Sequence, residues 1–196
     1  KKINFKCIDT KVDNKIKISN KFDYLFSFLN PLFIKKNIRK KIKKMAINIH
    51  PGPPEYPGYG CYNFALLDRT NSYGCTVHQI NDKIDNGKII AVKRFKFKYD
   101  NINLEKLIKI THKNAFLLFK KIISQIIKND YVKIKNKEKW KKRGVYTKIQ
   151  FEKARKINLN DTQENILKKI KAFSYKNYES VYLEIKGKKY EIKEKK

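Results

Sequence analysis

Residues 22–50 read FDYLFSFLNPLFIKKNIRKKIKKMAINIH and form a strand–helix–strand pattern. The apolar run at residues 22–29 has the length and composition of a strand that is covered on both faces. The Asn-Pro pair that follows suits the cap and first position of a helix, and apolar residues then recur at helical spacing as far as Ile42. A second apolar strand follows at residues 45–49. We therefore expect a βαβ unit whose two strands are parallel neighbours.

The next part of the chain extends this pattern. The stretches at residues 74–80 and 88–99 have the composition of strands, and the second alternates aromatic with basic residues. Apolar residues at helical spacing predict a long helix over residues 103–128, which would cover one face of the sheet. The sequence therefore predicts an α/β fold for residues 1–130, with a mostly parallel sheet flanked by helices.

The composition changes after this helix. The segment KIKNKEKWKKRG is polar and charged, as in a linker, and Trp140 within it is expected to pack the following segment onto the core. Asp161 and Glu164 stand at capping-box spacing before a short helix, and VYLEIKGKKYEIK predicts a hairpin that turns at Gly187. Residues 131–196 are therefore predicted to form a small α+β subdomain.

The charge of the chain is strongly positive. The sequence has 48 Lys and Arg against 18 Asp and Glu, a net charge of +30. Such an excess can indicate nucleic acid or an anionic membrane as the partner. Here the lysines are interleaved with core-forming residues and form no separate basic tail, the pattern expected when an AT-rich coding sequence favours Lys, Ile and Asn at neutral surface positions. We therefore disfavour nucleic acid as the primary partner, and retain a role for the charge in attracting a diphosphate-bearing small molecule.

Other features of the composition limit the classes of protein. At 196 residues and 41% hydrophobic content the chain can bury a core. No run of about 18 apolar residues is present, and the start KKINFKCID lacks the apolar stretch of a signal peptide, so we expect no membrane partner and a cytoplasmic location. The three cysteines, Cys7, Cys61 and Cys75, are too scattered for a disulfide framework or a CxxC metal site. We interpret them as reduced packing residues.

Four side chains suited to proton and oxyanion chemistry lie close together in the sequence: Asn48, His50, His78 and Asp85. An Asn amide at a strand end can donate a hydrogen bond to a developing oxyanion, and a His two residues later projects from the same face. A carboxylate near that His would raise its pKa and fix its orientation. Asn48, His50 and Asp85 therefore suit addition to a carbonyl through a tetrahedral intermediate, whereas His78 is interpreted as a structural residue below the site.

A restrained loop follows His50 directly. Residues 51–60, PGPPEYPGYG, contain four of the 5 prolines and three of the 7 glycines of the chain. Such a composition predicts a rigid, irregular loop, and loops of this kind commonly present functional groups.

The stretch INIHPGPPEYPGYGC and the later stretch YGCTVHQINDKIDNGKII resemble the core of the N10-formyltetrahydrofolate-dependent formyltransferases. That family shares an Asn-x-His-Pro strand end and a downstream His-x6-Asp-x-Gly segment. The resemblance implies a Rossmann-like formyltransferase core. It also implies that Asn48 and His50 polarise the formyl oxygen and that Asp85 holds His50 protonated or orients a water that carries a proton.

The same resemblance implies a folate site and N10-formyltetrahydrofolate as the co-substrate. In the family the folate lies against the strand that corresponds to residues 27–30 and the loop that corresponds to residues 81–85. These positions would bring four residues to the pterin: Phe28, Leu29, Asn81 and Asp82.

The loop after His50 indicates a branch of the family. It is similar to the loop of the enzymes that formylate the amine of a nucleotide-linked amino sugar for surface polysaccharides, and the end of the chain resembles the short C-terminal segment of that branch. Glu55, Tyr56 and Tyr59 are therefore candidates for contacts with the acceptor. The Arg-Gly loop and barrel domain typical of methionyl-tRNA formyltransferases are not apparent. Family members begin with further residues that hold the first strands of the sheet, so we expect a core without those strands, and the activity of this chain alone stays open.

Several alternatives remain at this point. His50, His78 and Asp85 have the donor types of a two-histidine, one-carboxylate metal site, although the resemblance implies a mechanism without metal. The charge allows a non-catalytic RNA-binding protein, and the family includes enzymes that formylate initiator tRNA. A homodimer is a further open possibility.

Overall fold

The structure, a computed structural model, describes residues 3–10, 15–129, 132, 136–141, 144–176 and 179–192. Its elements in chain order are β1 (Phe22–Phe28), α1 (Lys36–Arg39), β2 (Ile42–His50), α2 (Cys61–Leu67), β3 (Ser72–Gln79), β4 (Ile89–Lys96), α3 (Leu104–Asn129), α4 (Lys148–Arg155), α5 (Gln163–Phe173), β5 (Val181–Ile185) and β6 (Lys188–Ile192). The α/β fold class predicted from the sequence is confirmed.

The first four strands form one sheet in the order β1-β2-β3-β4. β1 and β2 are parallel, with Ser27 opposite Asn48, as the βαβ pattern predicts. β3 then runs antiparallel to β2, and β4 antiparallel to β3. The carboxyl end of β2 therefore lies beside the end of β1 on one side and the second half of β3 on the other, where His50 pairs with Thr76. In α/β sheets, ligands commonly bind at the carboxyl ends of the strands.

Helix α1 is much shorter than the predicted helix. Asn30 does not cap it, because its side-chain oxygen accepts a hydrogen bond from the Leu32 N–H at 3.0 Å and so forms a turn. The helix begins only at Lys36, and Ile42, assigned to the helix by its spacing, instead pairs with Phe22 in the sheet. Strand pairing and a local Asn turn have overridden the helical periodicity.

Helix α3 covers the sheet as predicted. Its buried residues recur at helical spacing, namely Leu104, Leu107, Thr111, Ala115, Leu118 and Ile122. The last three residues of this set pack with buried residues of β2, β3 and β4, namely Ile47, Ile49, Cys75, Val77 and Ile90. Each such aliphatic side chain contributes about 1.5–3 kcal/mol when it is fully removed from water. This core fixes β2 and β3, the two strands that carry the candidate site.

A second core cluster joins the C-terminal elements to the rest of the chain. It contains Phe64 of α2, Leu107 of α3, Phe151 of α4, Phe173 of α5 and Val181 of β5. The hairpin turns at Gly187, where φ is +73°, as predicted. Helix α4 was not anticipated, and the cap of α5 is Thr162 rather than Asp161. The predicted domain boundary at residues 130 and 131 lies outside the described residues, so a separate subdomain at 131–196 stays a prediction.

We expect Phe173→Ala to lower the free energy of unfolding by about 3–5 kcal/mol, because Phe173 is 1% exposed and its loss leaves a cavity in the shared cluster. Leu167→Ala on the same helix is the matched control, since Leu167 is 58% exposed and its loss should change stability little. Urea denaturation of the 196-residue chain measures both. A wild-type midpoint for Phe173→Ala would show that α5 does not contribute to the core as described.

Candidate active site

The site begins at the end of β2. Asn48 and His50 are alternate residues of one strand and project from the same face of the sheet. In the antiparallel pairing with β3, Asn48 stands directly opposite His78, and His50 opposite Thr76. Directly opposed residues on neighbouring strands share a face, so the pairing itself brings His78 into the site. The antiparallel direction of β3 was not predicted, and His78 was therefore assigned to a position below the site.

The loop after β3 supplies Asp85. Its backbone is left-handed, with φ +39°, a conformation that Asp tolerates better than most residues. Two residues later the chain returns against β3, and a Cβ on Gly87 would lie 1.7 Å from the Gln79 carbonyl oxygen. Only glycine allows this approach. The Asp-x-Gly spacing thus has a mechanical cause, since the glycine lets the loop fold back and present the carboxylate.

The Asp85 carboxylate joins the elements of the site. Its Oδ2 lies 3.1 Å from His50 Nδ1 and accepts a hydrogen bond from the Gly58 N–H at 2.8 Å. Its Oδ1 lies 3.3 Å from His78 Nε2 and 3.4 Å from Asn48 Nδ2. Asp85 is 8% exposed and His50 is 4% exposed. The sequence-predicted trio of Asn48, His50 and Asp85 is therefore assembled, with His78 as a fourth member.

The loop after His50 is fixed from below by β3. The hydroxyls of Tyr73 and Thr76 donate to the carbonyls of Pro51 and Gly52, at 3.0 and 2.7 Å. The carbonyl of Tyr56 lies 2.9 Å from His50 Nε2. A carbonyl oxygen can only accept, so Nε2 carries a proton in this contact. Both nitrogens of the His50 ring thus face protein acceptors, Asp85 on one side and a main-chain carbonyl on the other.

His78 has partners at both ring nitrogens. Its Nδ1 lies 2.8 Å from the Gln79 carbonyl oxygen. Its Nε2 lies 3.1 Å from the Asn48 amide nitrogen and 3.3 Å from Asp85 Oδ1. The Asn48 amide nitrogen donates to the same carboxylate oxygen at 3.4 Å, so these three side chains meet at one point.

Burial and charge act in opposite directions on the two titrating groups. Burial lowers the pKa of the His50 imidazole, and the Asp85 carboxylate and Tyr56 carbonyl, which raise it, do not fully offset the effect. Asp85 raises the pKa of His50, as expected from the sequence, but the burial of the ring outweighs this contribution and the net shift is downward. Burial also disfavours the Asp85 anion, but His50, His78 and the Gly58 N–H together hold the pKa of Asp85 well below its ordinary value. A charged carboxylate thus lies beside an imidazole that releases its proton readily.

Two of the candidate folate residues, Phe28 and Leu29, lie at the same end of the sheet. Phe28 pairs with Ile49 in the sheet, next to the Asn48 and His50 positions, and packs on Phe119 with ring centroids 5.4 Å apart. Leu29 follows with a left-handed backbone, φ +49°, and donates its N–H to the Ile49 carbonyl. Both residues are half-buried.

Asn81 and Asp82 stand in the loop that carries Asp85. The Asn81 side chain accepts the Lys83 N–H at 2.9 Å, and the exposed Asp82 carboxylate pairs with Arg39 of α1. Contact of these two residues, or of Phe28 and Leu29, with a folate stays a prediction.

The three candidate acceptor residues differ in their surroundings. Glu55 receives two hydrogen bonds from Arg94, at 3.0 and 3.1 Å. Tyr56 is 6% exposed, and its hydroxyl donates to Asp68 at 3.0 Å, so its side chain belongs to the core and its carbonyl to the site. Tyr59 is 47% exposed and packs edge-on against Phe151. Tyr59 is therefore the member of the three that is accessible to a ligand, and the acceptor contacts stay a prediction.

Metal binding and membrane insertion can also be compared with the structure. In the described part of the chain, no group of three or more His, Cys, Asp and Glu side chains is arranged to hold a metal ion. Across those same residues, no helix is both long and apolar enough to cross a membrane.

An α/β core that brings together an Asn, two His and an Asp near the end of β2 has groups that can stabilise an oxyanion and move a proton. Residues 23–123 match the family model described as formyl transferase, and the chain belongs to that family. A sugar N-formyltransferase from Shewanella sp FDAARGOS_354 has the same fold, with a TM-score of 0.73 over 88% of this chain and 69% of its own, at 20% identity.

Two further relatives are more similar in sequence. The N-formyltransferase from Helicobacter canadensis, determined with folinic acid and dTDP-3-aminofucose, is 28% identical, with a TM-score of 0.63 over 84% of this chain and 59% of its own. The methionyl-tRNA formyltransferase of Finegoldia magna is 31% identical over 137 residues, which are 64% of this chain and 42% of that protein. The chain spans less than half the length of the curated relatives that it matches.

Gly87→Ala is expected to disrupt the site, because the added methyl cannot fit against the Gln79 carbonyl and the loop must move away from β3. We expect a loss of about 2 kcal/mol in the free energy of unfolding and a changed His50 ring signal in NMR spectra. The neighbouring exposed residue provides the control, and Asn86→Ala should leave both measurements unchanged. Wild-type stability together with a wild-type His50 signal in Gly87→Ala would contradict the mechanical role of the glycine.

The ionisation of Asp85 should also be visible in the acid stability of the chain. Because the folded-state pKa of Asp85 lies below its unfolded value, its charge contributes stability at neutral pH, and this contribution is lost as the pH falls from about 4 toward the folded-state pKa. Asp85→Asn should therefore cost about 3 kcal/mol at neutral pH and progressively less in acid.

Urea denaturation of wild type and variant at a series of pH values measures the difference. Asp23→Asn, which changes an exposed carboxylate on β1, is the control and should show only a small difference throughout. A wild-type minus Asp85→Asn difference that does not change with pH would exclude a buried, ionised Asp85.

Proposed function

We propose that this chain carries the catalytic core of an enzyme that transfers a formyl group from N10-formyltetrahydrofolate to the primary amine of a nucleotide-linked amino sugar. The observation that supports it most is the assembly of Asn48, His50, His78 and Asp85 around one buried carboxylate, within residues that match the formyl transferase family. When bound, the folate supplies the formyl group. The chain's own residues would then stabilise charge and move one proton.

Asn48 and His50 are the proposed oxyanion donors. Attack of the amine nitrogen on the formyl carbon places negative charge on the formyl oxygen, and N–H groups aimed at that oxygen stabilise the transition state. The Asn48 amide nitrogen and His50 Nε2 are the two donors at the end of β2. Each already has a protein partner, so both would exchange that partner for the oxygen during the reaction.

His50 and Asp85 are the proposed route for the proton. The C–N bond to the acceptor forms, the bond from the formyl carbon to the folate nitrogen breaks, and the proton lost by the attacking amine must reach the leaving nitrogen. Asp85 stays charged, and burial favours the neutral His50 ring, so an imidazole that takes up a proton from the amine passes it on readily. The pair can therefore stabilise a transient positive charge on the imidazole while a proton passes between the two nitrogens, directly or through water.

The binding residues are assigned by the same proposal. Phe28, Leu29, Asn81 and Asp82 would line the pterin, since all four stand beside or in the segments that carry the catalytic side chains. A half-buried aromatic and main-chain groups at a strand end fit a flat heterocycle with hydrogen-bonding edges.

Glu55, Tyr56 and Tyr59 are proposed for the acceptor side, with the exposed Tyr59 ring as the main contact and Glu55 acting together with Arg94. The positive charge of the chain would favour the approach of a diphosphate. We propose no other partner, and a homodimer stays a prediction.

The acceptor distinguishes this proposal from formylation of a charged tRNA, since the Finegoldia magna relative is a methionyl-tRNA formyltransferase. The match to the Helicobacter canadensis enzyme, which was determined with dTDP-3-aminofucose, covers 84% of this chain, whereas the match to the Finegoldia magna relative covers 64%. The loop at residues 51–60 is similar to that of the sugar-modifying branch. Both features favour the sugar.

We expect the chain to formylate a nucleotide-linked amino sugar when it is incubated with N10-formyltetrahydrofolate, as a mass gain of about 28 Da on the sugar. Asn48→Ala, His50→Gln and Asp85→Asn should each lower the rate by about a hundredfold or more, because each removes charge stabilisation in a dry site. Lys139→Ala, at an exposed position, is the control and should retain the wild-type rate.

A panel of amino-sugar nucleotides and charged initiator tRNA serves as the set of acceptors. Formylation of the tRNA in preference to every sugar would replace the proposed acceptor. Near-full rates in His50→Gln and Asp85→Asn with normal folate binding would contradict the proposed mechanism.

A further inference from the structure

Trp140 contacts both histidines of the site. Its ring centroid lies 5.0 Å from that of His78 with an interplanar angle of 88°, and 6.0 Å from that of His50 with an angle of 67°. These are edge-to-face arrangements, in which the positive edge of one ring meets the negative face of the other. The indole thus adds an apolar contact to two rings whose other described partners are hydrogen-bonding groups.

Two hydrogen bonds attach Trp140 and its neighbour to the segments that form the site. The indole Nε1–H donates to the Gly87 carbonyl at 2.8 Å, in the loop that carries Asp85. The N–H of Lys141 donates to the Pro54 carbonyl at 3.1 Å, in the loop that follows His50. Trp140 therefore bridges the two loops at the point where their side chains meet.

A charged contact holds the same segment. Glu138 accepts a hydrogen bond from Arg94 of β4, and Arg94 also binds Glu55 of the loop after His50. The indole is consequently held by ring contacts, by main-chain bonds and by an ion pair. A linker residue that only attached the C-terminal elements to the core would need no direct contact with the imidazoles.

We infer that Trp140 is a positioning residue of this site, which holds the His50 and His78 rings in one orientation and keeps water from them. The effect of Trp140 on catalysis rests on the proposed function, whereas its effect on the orientation and hydration of the two rings does not. With the indole present the rings are 4% and 3% exposed. The groups that face His50 are the Asp85 carboxylate, the His78 ring and the Tyr56 carbonyl. If the indole were removed, water would reach the His50 ring while these three groups stayed in place.

The first experiment measures the two rings directly. NMR titration of the 196-residue chain gives the pKa and the tautomer of His50 and His78 in wild type, Trp140→Phe, Trp140→Leu and Trp140→Ala. Less burial favours the charged ring, so we expect the pKa of His50 to rise by about one unit in Trp140→Ala. Trp140→Phe keeps an aromatic ring and should keep the pKa within a few tenths of a unit of wild type.

The controls separate positioning from general destabilisation. Lys139→Ala changes an exposed neighbour in the same segment and should leave both histidines unchanged. Trp140→Leu retains bulk without a ring face or an N–H, so it tests the contact even if Trp140→Ala does not fold, and it should also raise the pKa of His50. Folded Trp140→Leu and Trp140→Ala variants with wild-type pKa values and tautomers for both rings would overturn the inference.

The second experiment is the formylation assay. A positioning role predicts that Trp140→Leu lowers kcat about tenfold with little change in KM, and that Trp140→Phe restores most of the rate. A raised KM at unchanged kcat would instead make Trp140 a substrate contact and overturn the inference. Failure of the wild-type chain to formylate any acceptor would count against the proposed function, while the titration would still decide the role of Trp140.

Discussion

One buried charge organises this molecule. A carboxylate removed from water costs several kcal/mol unless hydrogen-bond donors and opposite charge surround it. Around Asp85 the chain supplies those groups from three places, the end of β2, the end of the returning β3 strand and the loop at residues 51–60. The left-handed backbone at Asp85 and the close approach of Gly87 to β3 are the geometric conditions for bringing them together. The order of the sheet, the restrained loop and the glycine are therefore parts of one electrostatic arrangement.

The same arrangement leaves the site closed in the described state. His50 donates to a main-chain carbonyl, Asn48 donates to the Asp85 carboxylate, and an indole lies against both imidazoles. Each donor that a developing oxyanion would need is thus already hydrogen-bonded to a protein group. A substrate oxygen would compete with a neutral carbonyl for the His50 donor and with the Asp85 carboxylate for the Asn48 donor. It would gain most when it becomes negatively charged, since hydrogen bonds to charged acceptors are roughly twice as strong. Such a site favours the transition state over the ground state.

The sequence predicts much of this molecule because local patterns determine it. The apolar runs locate β1 and β2, the helical period locates α3, and Gly187 locates the hairpin turn. The candidate trio of Asn48, His50 and Asp85 could be named because motif spacing and family resemblance point to it. The role of His78 could not, since it depends on the antiparallel direction of β3, which is a tertiary property. Nor could the position of Trp140, which follows from contacts between segments far apart in the chain. The helix predicted up to Ile42 failed because strand pairing is worth more than helical periodicity at that point.

The acceptor on His50 Nε2 belongs to the peptide backbone, and this has a consequence for variation at the site. Every amino acid at position 56 brings a carbonyl, so no point substitution there can delete the hydrogen bond. Only changes that redirect the main chain, at the neighbouring prolines for example, can weaken it. Natural variation at position 56 would accordingly be limited by how the side chain packs beneath the loop. The hydrogen bond from His50 Nε2 to the carbonyl of residue 56 would persist whatever side chain stands there.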